Sequence, residues 1–150
     1  MISEVHLDTT YVMPFFYLDI GVEGFSIKLY REIIMSIQRI HISEISIIEA
    51  KAKSLKIGRE KKLSEINDKF NDGLAVLKSD SKVNIHSSAV EDDKEFNEIL
   101  PLGLDFFDSI VLSQSYKTGS LLAENMKLLR SDVGIDIINW KKLVEIYKSV

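Results

Sequence analysis

Three carboxylates and one carboxamide stand at positions where an α/β chain does its chemistry. Asp8 directly follows the apolar run Val5–Leu7, and Glu49 lies early in the helix expected after Ile40 and Ile42. Asp108 falls near the start of a helix expected over 104–117, on one face with Val111, Leu112 and Ser115. Asn125, with Glu124 beside it, comes just after Leu121 and Leu122. In an open parallel sheet, ligands bind outside the carboxyl ends of the strands. Carboxylates gathered there repel one another and are costly to desolvate. A divalent cation resolves that repulsion, and Mg²⁺ or Mn²⁺ prefers oxygen ligands. Such an ion lowers the pKa of bound water and stabilises charge on a transferring phosphoryl group.

Each acid also has an ordinary reading. Asp8 suits a helix N-cap or a strand-end turn, and Glu49 suits a surface pair with Lys53 at i+4. Asp108 suits the positive end of a helix, and Asp105, one turn earlier, competes with it as a ligand.

The elements that must carry these residues are short. Val5–Leu7, Ile40–Ile42, Val83–Ile85, Leu121–Leu122 and Ile135–Ile138 read as strands. Between them, Pro14 suits the first turn of a helix beginning near Met13, and Phe25, Leu29, Ile33 and Ile37 recur at helical spacing. Ser43 is placed to cap a helix to about Lys56 with the stripe Ile45, Ile48, Ala52 and Leu55, ended by Gly58. A charged helix over 59–78 and a short acidic one over 90–100 follow. Gly119 closes the helix over 104–117, and Asn139 caps a last one with the stripe Trp140, Leu143, Val144 and Tyr147. Strands alternating with helices predict a three-layer α/β/α fold around a central, mostly parallel sheet. No internal repeat or linker interrupts the 150 residues, so a single domain over 1–150 is expected.

Composition narrows the function. The absence of cysteine excludes disulfides and thiolate metal sites. No secretory signal or run of ~18 uncharged apolar residues is present, so a cytoplasmic protein without a membrane partner is expected. A formal net charge of −4 argues against general polyanion binding. Nucleic acid would need a local patch, and the densest basic run is Lys51, Lys53, Lys56 and Arg59, continuing to Lys61 and Lys62. It reads equally as a phosphate track beside Glu49 or as a solvated helix face.

Three stretches together resemble the PIN family of metal-dependent ribonucleases. VHLDTTYV (Val5–Val12) is similar to its opening strand, which ends in Asp followed by Thr or Ser. ISEISIIEAKAK (Ile42–Lys53) resembles its Ser-led helix carrying a Glu. DSIVLSQSYKTGSLLAEN (Asp108–Asn125) resembles its third and fourth motifs. The resemblance implies that Asp8, Glu49 and Asp108 hold Mg²⁺ or Mn²⁺ or orient water, with Thr10 as a supporting polar group. Asn125 stands where the family usually has Asp, and Ala123 where it often has Thr or Ser. Asn125 would offer a metal only a neutral carbonyl oxygen, and Glu124 would replace it in a shifted turn.

The activity so implied is hydrolysis of phosphodiester bonds in single-stranded RNA. A chain of this length also fits the toxin of a toxin–antitoxin pair, bound by an antitoxin protein and forming a homodimer. The alternative is a catalytically degenerate module of the same fold that binds RNA or protein. An aspartyl phosphotransferase ranks lower, because Thr10 stands where a second Asp is wanted, and no P-loop occurs. His6, His41 and His86 have no metal-ligand spacing and are expected in core or strand-surface roles. Tyr11, Phe15, Phe16 and Tyr17 are expected to pack the core or a dimer seam.

Overall fold

The computed structural model describes residues 2–87 and 98–149. The acidic helix expected over 90–100 lies outside these residues, apart from its end. Five strands, β1 (Glu4–Leu7), β2 (Arg39–Ser43), β3 (Val83–His86), β4 (Ser120–Leu122) and β5 (Asp136–Ile138), form one sheet in the order β3-β2-β1-β4-β5. Every pairing is parallel. Among the described residues seven α-helices flank it: α1 (Thr9–Val12), α2 (Ile27–Ser36), α3 (Glu44–Lys61), α4 (Ile66–Ser79), α5 (Phe106–Ser115), α6 (Met126–Arg130) and α7 (Trp140–Lys148). The arrangement is the expected three-layer α/β/α fold. No helix among the described residues is long and apolar enough to cross a membrane.

Alternation along each strand divides the sheet into two faces. Val5, Leu7, Ile40, Ile42, Leu122 and Ile138 enter the larger core, with Tyr11 of α1, Tyr30 and Ile33 of α2, Phe70 of α4 and Trp140 of α7. On the other face Leu121 and Ala123 pack with Val111 and Leu112 of α5 and Leu128 of α6.

Several expected boundaries move. The first helix begins at Thr9, not near Met13: the Asp8 carbonyl accepts from the N–H groups of Tyr11 and Val12 at 2.9 and 3.2 Å. Pro14 instead opens a 3-10 turn over Met13–Phe16. Gly58 does not end α3, which continues to Lys61, and α4 starts only at Ile66. The buried face of α3 is not the stripe of larger apolar residues but Ser46, Ile47, Ala50, Ser54 and Gly58. Ile48 and Leu55 are exposed. Small residues let α4 come close, and a Cβ at Gly58 would run into the Ile66 side chain. Gly73 of α4 does the same work against the 3-10 turn, where a Cβ would strike the Phe15 carbonyl oxygen and the Phe16 ring. Asn139 caps α7 as expected, accepting from the Lys142 N–H at 3.0 Å.

Candidate active site

Asp8 is the first residue beyond β1, in the middle of the sheet. Its N–H donates to the Leu122 carbonyl at 3.0 Å, which ties it to the end of β4. It is the N-cap of α1 without a side-chain capping hydrogen bond, and the backbone N–H groups of Thr9 and Thr10 nearby favour its charged form. Burial nonetheless pushes its pKa up from 3.8 to about 6, and the negative charges of Asp108 and Glu49 add to the rise. Two further acids, from α5 and α3, therefore lie near enough to act on Asp8 electrostatically.

Each of them is held by a neutral partner. Glu49 sits in the second turn of α3, where its Oε1 accepts from Thr9 Oγ1 at 2.8 Å. Thr9 Oγ1 also lies 3.1 Å from Ser46 Oγ, one turn before Glu49. Thr9 is buried, so its single hydroxyl proton is committed to this contact. Asp108 Oδ2 accepts from Asn125 Nδ2 at 2.9 Å. Its pKa is also raised, first by burial and then by Asp105 and Glu49, with Asn125 and Lys53 opposing.

Sequence alternatives sort out in this geometry. Asp105 is the N-cap of α5, its Oδ1 accepting from the Asp108 N–H at 2.8 Å. Asn125 was expected to offer a carbonyl oxygen to a metal. Its Oδ1 instead accepts from the Lys127 N–H at 2.9 Å and caps α6, while its amide nitrogen orients Asp108. Glu124 does not substitute for it: Oε1 accepts from the Tyr11 hydroxyl and from the Trp140 N–H, the latter at 2.7 Å, and so fixes the start of α7. Thr10 acts on Asp8 through its backbone N–H, which favours the charged carboxylate. The hydroxyl that reaches an acid belongs to Thr9, which sequence reasoning passed over. Its position next to Asp8 was the available signal.

The basic run does not make one track. Lys53 acts electrostatically on Asp108. Lys51 lies over the Phe70 ring, 5.7 Å from its centre. Lys56 pairs with Glu60 at 3.9 Å, and Arg59 Nε folds back onto the Leu55 carbonyl at 3.4 Å. An open cleft of about 440 Å³ runs past Asp108 and Asn125, bordered by Gly103, Leu104, Asp105, Met126 and Lys127.

As the side chains stand, no three His, Asp or Glu groups among the described residues enclose a point where a metal ion would sit. A Mg²⁺ ion does not require such a cage, because it keeps several waters and is held by one or two carboxylates plus substrate phosphate. The all-oxygen donors fit that mode, and the raised pKa of Asp8 is the electrostatic cost a cation would relieve.

The fold is also found in a protein of known structure. PAE2754 from Pyrobaculum aerophilum superposes with a TM-score of 0.62 over 97% of this chain and 90% of its own, at 17% identity. No protein-family model matches the chain, and no curated protein sequence does.

Proposed function

We propose that the protein is a Mg²⁺- or Mn²⁺-dependent endoribonuclease that hydrolyses phosphodiester bonds of single-stranded RNA. The observation that carries this reading is the convergence of Asp8, Glu49 and Asp108, from three separated segments, at the carboxyl end of a parallel sheet. The sequence resemblance to PIN-family nucleases supplies the reaction class. When bound, the ion would supply an activated water and charge stabilisation at the phosphoryl group. Asp8 and Asp108 are the residues that would hold it. Glu49, braced by Thr9, is set to orient water, and Asn125 keeps Asp108 in position. Lys53 brings positive charge toward the phosphate. A role as toxin, with an antitoxin and a second copy of the chain as partners, belongs to the same reading.

The second reading, a binding module without cleavage, is favoured by one observation. The carbonyl oxygen of Asn125 is spent on the α6 cap, so the site has three acids where related nucleases usually have four. A single experiment separates the two. Purified protein is incubated with a single-stranded RNA pool and Mn²⁺ or Mg²⁺, with EDTA and Asp8→Asn as controls. Cleavage that falls by about 10³-fold in the variant, equivalent to about 4 kcal/mol of transition-state stabilisation, supports the nuclease. RNA retention without cleavage by the folded protein supports the module.

A further inference from the structure

His6, His41 and His86 are remote in sequence and adjacent in space. The register pairs His6 of β1 with His41 of β2, and sets His86 of β3 beside Ser43, two residues beyond His41. All three rings project from one face of the sheet, with centres 5.0, 5.6 and 6.3 Å apart and planes within 28° of one another. His41 Nδ1 lies 2.7 Å from His86 Nε2, and His41 Nε2 lies 2.6 Å from Glu4 Oε1. His6 is fully buried, and neither of its ring nitrogens has a hydrogen-bond partner.

We propose that His6, His41 and His86, with Glu4 behind His41, bind a divalent transition-metal ion of the zinc class, separately from the acidic centre. A zinc–nitrogen bond of about 2.0–2.1 Å puts three imidazole centres about 5.2–5.5 Å apart, close to the spacings seen here. Imidazole suits zinc, whereas the hard oxygens near Asp8 suit Mg²⁺. The Glu4–His41 contact is the carboxylate–histidine pair that orients a metal-bound ring. It leaves His41 Nδ1 with its lone pair facing His86.

In the metal-free arrangement the His41–His86 hydrogen bond closes the gap, so the donors do not yet surround one point. Zinc enters as His86 moves its proton from Nε2 to Nδ1. All three ligands stay neutral, and the two nitrogens part to about 3.3 Å. Glu4 supplies negative charge, which Lys117 near His86 partly opposes. A bound ion would staple β1, β2 and β3 two residues below Asp8.

The test uses tag-free protein stripped with EDTA and titrated with Zn²⁺ in excess Mg²⁺ by calorimetry. Expected are one zinc per chain for the wild type and for Asp8→Asn, and binding at least about tenfold weaker for His86→Ala and His41→Ala. Co²⁺ should give the intense visible absorption of a four-coordinate, nitrogen-rich site. His86 is only partly buried at a strand end, so its variant should keep the fold. Zinc should raise the melting temperature of the wild type by roughly 5 °C and leave that of His86→Ala unchanged. Failure of the wild type to take up zinc, a weak octahedral cobalt spectrum, or binding lost in Asp8→Asn but kept in His86→Ala would each overturn the proposal. None of these outcomes depends on RNA cleavage.

Discussion

The two faces of the sheet are made by the same strands and serve opposite purposes. One face of β1 and β2 carries Val5, Leu7, Ile40 and Ile42, buried to within 1% of full and packed against aromatic rings from α1, α2, α4 and α7. The other carries Glu4, His6, His41 and Ser43, and it continues past the strand ends to Asp8. Burial there is uneven: Glu4, His41 and Asp8 are partly exposed, whereas His6 and Ser43 are fully buried and have side-chain polar atoms without partners. Desolvation pulls the His6 pKa down to about 3, with His86 and His41 contributing, and pushes that of Asp8 up to about 6. Unpaired polar groups under a helix are expensive. Period two along four-residue strands allows a chain to concentrate stability on one side and tolerate that expense on the other.

The sharpest way to break the comparison is to damage only the apolar side. Gly73→Ala would force α4 away from the Phe15 carbonyl and the stacked Phe16 and Phe70 rings, whose centres are 4.3 Å apart. We expect a loss of about 3 kcal/mol in chemical denaturation, with the ionisation of Asp8 unchanged.

A smaller net effect comes from the polar side. The folded-state pKa of Asp8 lies above its ordinary value of 3.8, so the folded protein retains a proton that the unfolded chain releases. This group favours folding fully below about pH 4, and that contribution is lost as pH rises through about 6. Without divalent ions, the Asp8 contribution should fall by about 3 kcal/mol across that window, while buried His6, held neutral, contributes a rise over the same range. Thermal melts of Asp8→Asn should gain stability relative to the wild type as pH rises from about 4 to about 6, and Mg²⁺ should narrow that difference. A difference between wild type and variant that does not change with pH would mean that Asp8 is not desolvated as described.

The smallest effect is expected at Thr9. Thr9→Val removes the donor to Glu49 and should cost about 1 kcal/mol. On the proposed nuclease reading it should also slow RNA cleavage about tenfold, with Thr9→Ser restoring the rate. A rate unchanged by Thr9→Val would leave Glu49 without a need for its brace.

What was legible in the sequence follows the same division. The short strands and the cap at Asn139 were readable because period-two patterns and cap residues act locally, whereas Ser43 takes the N-cap position of α3 but its hydroxyl makes no capping hydrogen bond. Of the three candidate acids only Asp8 stands at a strand end; Glu49 and Asp108 lie in helices, and the family resemblance rather than local pattern singled them out. The packing of α3 was not. Its buried side includes Ser46, Ala50, Ser54 and Gly58, of which Ser46 meets Thr9 of α1 and Gly58 admits Ile66 of α4, so Ile48 and Leu55 gave a false stripe. The histidine cluster was invisible for another reason: only strand register brings residues 6, 41 and 86 together. The role of Asn125 depended on the direction of its amide, which residue type does not encode.

The sheet order has a consequence for the timing of assembly. β1 is the central strand and the first to leave the ribosome, but its second neighbour, β4, is synthesised about 115 residues later. At ordinary translation speeds that interval is about 6–20 s. Until it passes, Asp8 lacks the Leu122 carbonyl that anchors it, and Asp108 lacks Asn125. A nascent chain therefore cannot fix Asp8 and Asp108 as described until residue 125 has been made.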